Sequence, residues 1–266
     1  MAETTMQAGD LLRAGRLTEA LAAANAAVKA APTDLGRRLL LAELLLAVGN
    51  LERADTILDA ASQIDPSAAT VVAEFRQLLR AETARRQLYT EGRLPEFLGE
   101  PEPSLQASLA ALVALREGDL DTAAHQAGQA EALRPHVAGH ADGKEFDDFR
   151  DASDLHPGFI ETLTTTGKYF WVPVARIESM VFHPPKRTRD LIWRRCSMSV
   201  TGGPDGDVYI PAIYFAGAEE VSDALRLGHE TTWTETLPVR GLGQRLFLVG
   251  DDAAGVMELG TVEFGV

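Results

Sequence analysis

Cysteine is almost absent from this chain. Cys196 is the only one in 266 residues, which excludes an intramolecular disulfide and any multi-cysteine metal site. No histidine or second cysteine stands near it in sequence to activate a thiolate, so it reads as a small side chain in or beside a strand. Long apolar runs are also missing: no stretch approaches the roughly 18 to 20 residues that a membrane-crossing helix needs. The opening MAETTMQAGD has neither the basic start nor the apolar core of a secretory leader. These absences predict a cytoplasmic protein that does not engage a membrane. Basic charge is scarce as well: 25 Lys and Arg against 39 Asp and Glu leave a net charge of −14, and both halves of the chain are acidic. Such a surface repels nucleic acid and anionic lipid, so neither is an expected partner.

What the chain does have is a repeat. Gly15, Leu17, Ala20, Ala27 and Pro32 recur as Gly49, Leu51, Ala54, Ala61 and Pro66 at a constant displacement of 34, and a third copy, Gly118, Leu120, Ala123, Ala130 and Pro135, follows after a further 69 residues. Ala8, Ala42 and Ala111 hold the same register ahead of each glycine. Glycine permits a sharp turn between antiparallel helices, the small alanines let those helices approach closely, and proline stops the second helix. A 34-residue period with this punctuation resembles the tetratricopeptide repeat, whose stacked hairpins leave a concave face for a partner. Four helices are predicted over residues 5–65, a longer one over 67–90, and a last hairpin over 104–117 and 120–134. Between the second and third copies, TEGRLPEFLGEPEP breaks the period and reads as a loop.

After Pro135 alanine thins out, and short aromatic and β-branched runs (KYFWVPV, CSMSV, DVYIPAIYF, RLFLV) alternate with Gly, Pro and Asp clusters. The expectation is a two-domain chain, a tetratricopeptide-like helical solenoid over 1–140 and a β-rich α+β domain over 141–266, with the acidic segment up to about 155 as the joint. TGGPDGD reads as a hairpin turn that sets Met198 and Val200 opposite Val208 and Ile210.

Few motifs carry chemistry. Gly202-Gly203 and Gly241-Leu242-Gly243 lack the following helix that a phosphate cradle requires, and read as turns. His136 and His140, with Asp142 and His156 near in sequence, invite a metal site, but Gly139 and Gly143 argue against the helix that would align them. The acidic run Asp147, Asp148, Asp151 and Asp154 reads as a solvated or capping face. One basic cluster stands out: Lys186, Arg187, Arg189, Arg194 and Arg195 around Trp193. It either docks an acidic surface, that of the chain's own repeats included, or charges a strand edge against aggregation. Alternation along Leu191, Trp193 and Arg195 predicts that Leu191 and Trp193 share a buried strand face packed on the rest of the second domain, with Arg189 and Asp190 structural.

The second half resembles the ImpE family, also called TagJ, accessory proteins of bacterial type VI secretion. The resemblance rests on DFRDASD at 148–154, GKYFWVP at 167–173, PKRTRDLIWRR at 185–195, YIPAIY at 209–214, RLGHETTW at 226–233 and GLGQR at 241–245, in matching order and spacing. It implies a non-enzymatic adaptor, without cofactor or metal, that binds the N-terminal helix of the small subunit of the contractile sheath. Contact with the AAA+ ATPase that recycles the sheath would be indirect. In the repeat register the concave face carries Leu39, Glu43 and Leu46 with Ser108, Leu112 and Arg116, and these, with Arg187 of the basic cluster, are the candidate partner-binding residues. The other class open to the chain is an enzyme whose β-rich domain is catalytic and whose repeats target it, but no motif supplies a nucleophile, metal or phosphate loop.

Overall fold

A computed structural model describes residues 7–217 and 219–265; the expected helix start at residues 5 and 6 lies outside them. The repeats form helical hairpins. Helices α1 (Ala8–Arg13) and α2 (Leu17–Ala30), then α3 (Leu35–Ala47) and α4 (Leu51–Ile64), precede the long α5 (Ala69–Glu91); α6 (Pro103–Glu117) and α7 (Leu120–Leu133) close the series. Gly15, Gly49 and Gly118 take φ of 74°, 85° and 81°, the left-handed conformation that the glycine of each turn was expected to supply. Asp34, Asn50 and Asp119 cap the following helices by accepting from backbone N–H groups three residues on. The repeated alanines Ala20, Ala54, Ala61, Ala123 and Ala130 are fully buried where the helices meet.

The change of architecture comes earlier than the acidic joint was expected to end. Helix α7 stops at Leu133, and β1 (Gly139–Ala141), β2 (Lys144–Phe146) and β3 (Phe149–Asp151) are already part of the sheets. A division at 140/141 therefore falls inside β1. Three-residue strands are too short to show a period of two, which is why this stretch looked like a linker.

The main sheet has eight strands in the order β2-β1-β13-β6-β7-β8-β4-β5, where β4 is Phe159–Thr164, β5 Tyr169–Pro173, β6 Ile177–Phe182, β7 Trp193–Val200, β8 Gly206–Pro211 and β13 Thr261–Phe264. All its pairs are antiparallel. Both faces are covered. Along β4 and β5, Phe159, Leu163, Tyr169 and Trp171 join one core with the helices, while Ile160 and Val172 join a second core on the other face. That alternation is the two-residue period of a strand buried on both sides. The second core is closed by a small sheet of β3, β11 (Leu246–Val249) and β12 (Asp252–Gly255), whose Phe149 and Phe247 rings stack with centroids 5.0 Å apart. A two-stranded ribbon pairs β9 (Thr231–Trp233) with β10 (Gly241–Gly243), so Gly241-Leu242-Gly243 is strand and not the expected turn. The β7–β8 hairpin forms at TGGPDGD, with Cys196 opposite Val208 and Met198 opposite Gly206, so Met198 faces neither Val208 nor Ile210 as the sequence reading had it.

The two halves share one core. Helix α5 lies against β4 and β5, and Phe75, Leu78 and Leu79 bury themselves in the same cluster as Phe159, Trp171, Trp193 and Tyr209. Trp193 is fully buried as expected, but in the core shared with the helices and not within the second domain alone: its ring meets Phe75 edge-on at 5.9 Å. Leu191 does not share its strand face, because Thr188–Leu191 form a 3-10 turn and the strand starts two residues later.

Candidate functional site

At the centre of that shared core lies a network of charges. Helical spacing on α5 turns Glu82, Arg85 and Tyr89 toward the sheet, and β4 presents Glu161 on the facing side. Arg85 donates to both Glu161 oxygens at 2.9 and 3.1 Å and to the Ile213 carbonyl at 3.2 Å. Tyr169 and Tyr89 donate to the same carboxylate at 2.5 and 3.0 Å. Arg245, fully buried, bridges Glu161 and Asp151 and donates to the Pro211 carbonyl at 2.9 Å. Asp151 also accepts from Tyr214 at 2.7 Å and from the Ser153 N–H at 2.8 Å. Glu82 accepts from Arg86 at 3.0 Å and from the Trp193 indole at 3.2 Å. The indole of Trp171 donates to the Tyr169 hydroxyl at 2.6 Å.

Three carboxylates and three guanidiniums thus neutralise one another across the boundary between repeats and sheet. Burial disfavours ionisation of Glu161, but Arg85 and Arg245 outweigh it and hold the carboxyl well below its usual range. Burial and the Glu161 charge push the Tyr89 and Tyr169 phenols well up, so they remain donors. Burial pushes His156 down to about 4, against the pull of Glu161 and Asp151, so its imidazole is neutral. Its Nε2 lies 2.6 Å from the Tyr89 hydroxyl. Each of these carboxylates is engaged by hydrogen bonds and opposite charge, an arrangement that fixes two elements together. The thiol of Cys196, buried in the second core, is pushed up to about 12 by burial and is inert.

The candidate residues from the repeat register do not form one open face, because the sheet domain folds back over the helices. Glu43, Leu46, Ser108 and Leu112 are buried, Leu39 is half-buried, and only Arg116 and Arg187 are exposed. Five of them line separate cavities. Glu43 and Arg187 line a groove of about 680 Å³ between α1, α3 and residues 185–191, together with Leu12, Leu40 and Leu227. Burial raises the Glu43 carboxyl above its ordinary value, with Arg189 opposing. Leu46 lines a second cavity beside Glu82, Arg85 and Trp193, and Leu112 and Arg116 line a third beside His156. Glutamate at position 46 would therefore meet packed core, and would report on folding and not on partner capture.

The basic cluster is divided. Arg189, 4% exposed, pairs with Glu74 of α5 at 2.6 Å and lies over the Phe75 ring at 5.0 Å, so this residue docks on the chain's own repeats. Asp190 accepts from the backbone N–H groups of Lys186 and Arg187 at 2.8 and 3.0 Å and holds the turn. Arg195 pairs with Asp207 on the neighbouring strand at 2.5 Å. Of the histidines, His136 stands 3.1 Å from the Asp148 carboxylate and His140 stands 3.7 Å from Glu145, on different elements from buried His156. No helix among the described residues is long and apolar enough to cross a membrane.

A model of the ImpE protein family matches residues 143–263, and a tetratricopeptide repeat model matches residues 11–79. The type VI secretion system accessory component TagJ of Pseudomonas aeruginosa is 31% identical over 260 residues, covering 97% of this chain and 91% of that protein. The chain belongs to the ImpE/TagJ family. A crystal structure of a Vibrio parahaemolyticus protein superposes with a TM-score of 0.91 at 29% identity, over 98% of both chains. The strings that carry the ImpE resemblance supply most of the sheet side of the network: Asp151, Tyr169, Trp171, Trp193, Tyr214 and Arg245. Glu161 and His156 lie outside those strings, and Glu82, Arg85 and Tyr89 lie in the helical half. Sequence reading weighed His156 only for a metal site and missed the other four, the three on the helix because charges on a long helix ordinarily face water.

Proposed function

We propose that this chain is a non-enzymatic accessory protein of a type VI secretion system, an adaptor that holds the N-terminal helix of the small sheath subunit. Its action on sheath assembly or recycling would follow from that capture in the cytoplasm. The observation that carries the reading is the groove between α1, α3 and residues 185–191. Leu12, Leu40, Leu191 and Leu227 give it an apolar floor, and Lys186 and Arg187 give it a cationic rim in a chain of net charge −14. An amphipathic helix with carboxylates beside its apolar stripe complements both features. Full-length relation to TagJ supports the choice of system, and the internal pairing of the buried carboxylates supports an adaptor over an enzyme. Lys186 and Arg187 are exposed, so charge reversal tests the rim without touching the core. Titration of a labelled peptide covering that helix, from the same organism, is expected to bind about tenfold more weakly to a Lys186→Glu, Arg187→Glu variant. Unchanged affinity in the folded variant would exclude this groove.

A further inference from the structure

The cavity beside His156 holds a combination of groups that the adaptor reading leaves unused. It measures about 350 Å³ and lies between α5, α6 and the loops near 155, 215 and 240. Leu112, Leu115, Leu155 and Phe215 form its apolar walls. Arg116 and Arg240 line it as well; Arg240 Nη2 is 3.5 Å from Glu219, while its Nε is buried and has no hydrogen-bond partner among the described residues. His156, 3% exposed, also lines the cavity, and its buried Nδ1 likewise has no partner among the described residues.

The network sets what that Nδ1 offers. Tyr89 has one proton, and the Glu161 carboxylate, an anion 3.0 Å away, takes it. The Tyr89 oxygen then accepts from His156 Nε2, and a neutral imidazole protonated at Nε2 presents a bare lone pair at Nδ1. One cavity therefore combines an unmet acceptor, an unmet cationic donor with a second guanidinium nearby, and apolar walls.

We propose that this cavity is a recognition site for the C-terminal residue of a partner polypeptide, one that ends in an apolar amino acid. A chain end supplies all three complements at once: its backbone N–H reaches His156 Nδ1, its carboxylate meets Arg240 and Arg116, and its side chain fills the leucine walls. A fatty acid lacks the N–H donor, phosphate lacks the apolar body, and a helix interior has its N–H groups already bonded. Trp233, exposed and 6.0 Å from the Tyr214 ring that lines the cavity, adds an aromatic surface beside it.

The test uses the full chain and a fluorescein-labelled hexapeptide ending in leucine with a free carboxylate, read by anisotropy. Saturable binding is expected, weakened about tenfold or more when the terminus is amidated and by the same factor in an Arg116→Gln, Arg240→Gln variant. The Lys186→Glu, Arg187→Glu variant is expected to bind this peptide normally, which separates the site from sheath-helix capture. Equal binding of acid and amide, retention of affinity in the double arginine variant, or no saturable binding would each overturn the proposal.

Discussion

At the scale of single residues, Glu161 shows why this interior tolerates charge. A buried carboxylate is stable only when its partners replace the lost water, and Arg85, Arg245, Tyr89 and Tyr169 do so together. Glu161→Gln keeps the shape but leaves two buried guanidiniums short of an anion; the expected loss in a urea titration at pH 7 is about 3–5 kcal/mol. His156 gives a pH signature of known sign. Its folded pKa of about 4 lies below the usual 6.5, so folding excludes a proton that the unfolded chain binds. The stabilisation is complete above pH 6.5 and declines as pH falls toward 4, by about 3 kcal/mol in all. Glu161 adds a further loss that starts as pH falls through the ordinary carboxylate range, where only the unfolded chain takes up the proton, and continues below it because its own pKa is depressed. Unfolding free energies measured at pH 7 and pH 4.5 should therefore differ less in His156→Gln than in the parent chain. An equal slope in both would assign the acid sensitivity to other groups.

At the scale of elements, the helical hairpins depend on their turns to different degrees. Gly118 and Gly49 share the left-handed conformation, but a Cβ at Gly118 meets nothing within 4 Å, whereas one at Gly49 would stand 2.9 Å from Arg86 Nη1. That nitrogen donates to the Gly49 carbonyl at 2.7 Å. Gly118→Ala is expected to cost about 1 kcal/mol for backbone strain alone. Gly49→Ala should cost measurably more, since Arg86 must also move; thermal melts of the two variants compare them directly. The repeats were legible in sequence because glycine, alanine and proline act locally, each within its own turn. The basic cluster was legible as structure only in part, since Arg189 finds Glu74 across a separation of 115 residues. The helical side of the network was not legible. Glu82, Arg85 and Arg86 have the spacing of a solvated helix face, and only the sheet laid over α5 turns that face into an interior.

At the scale of the whole molecule, repeats and sheet would ordinarily be expected to unfold as separate domains, as chains of this length often do. Their shared core argues otherwise. Trp193 belongs to β7, yet it packs against Phe75 of α5 and donates to Glu82, so its truncation removes contacts that cross the boundary. Trp193→Ala is expected to destabilise the chain by about 3–5 kcal/mol, and to do so for helices and sheet alike. The same logic applies to the parent protein. Removing the sheet would expose Phe75, Leu78 and Leu79, take Glu161 from Arg85 and take the Trp193 indole from Glu82, so the repeats lose their lining and not merely a neighbour. Two signals separate the halves. Circular dichroism at 222 nm follows mainly the helices, while tryptophan fluorescence follows the core between helices and sheet, where Trp171 and Trp193 are fully buried. Coincident midpoints in urea are expected for both probes, in the parent chain and in Trp193→Ala. Helical signal persisting after the tryptophans are exposed would show that the repeats stand alone and that the charge network is a contact between two independent domains.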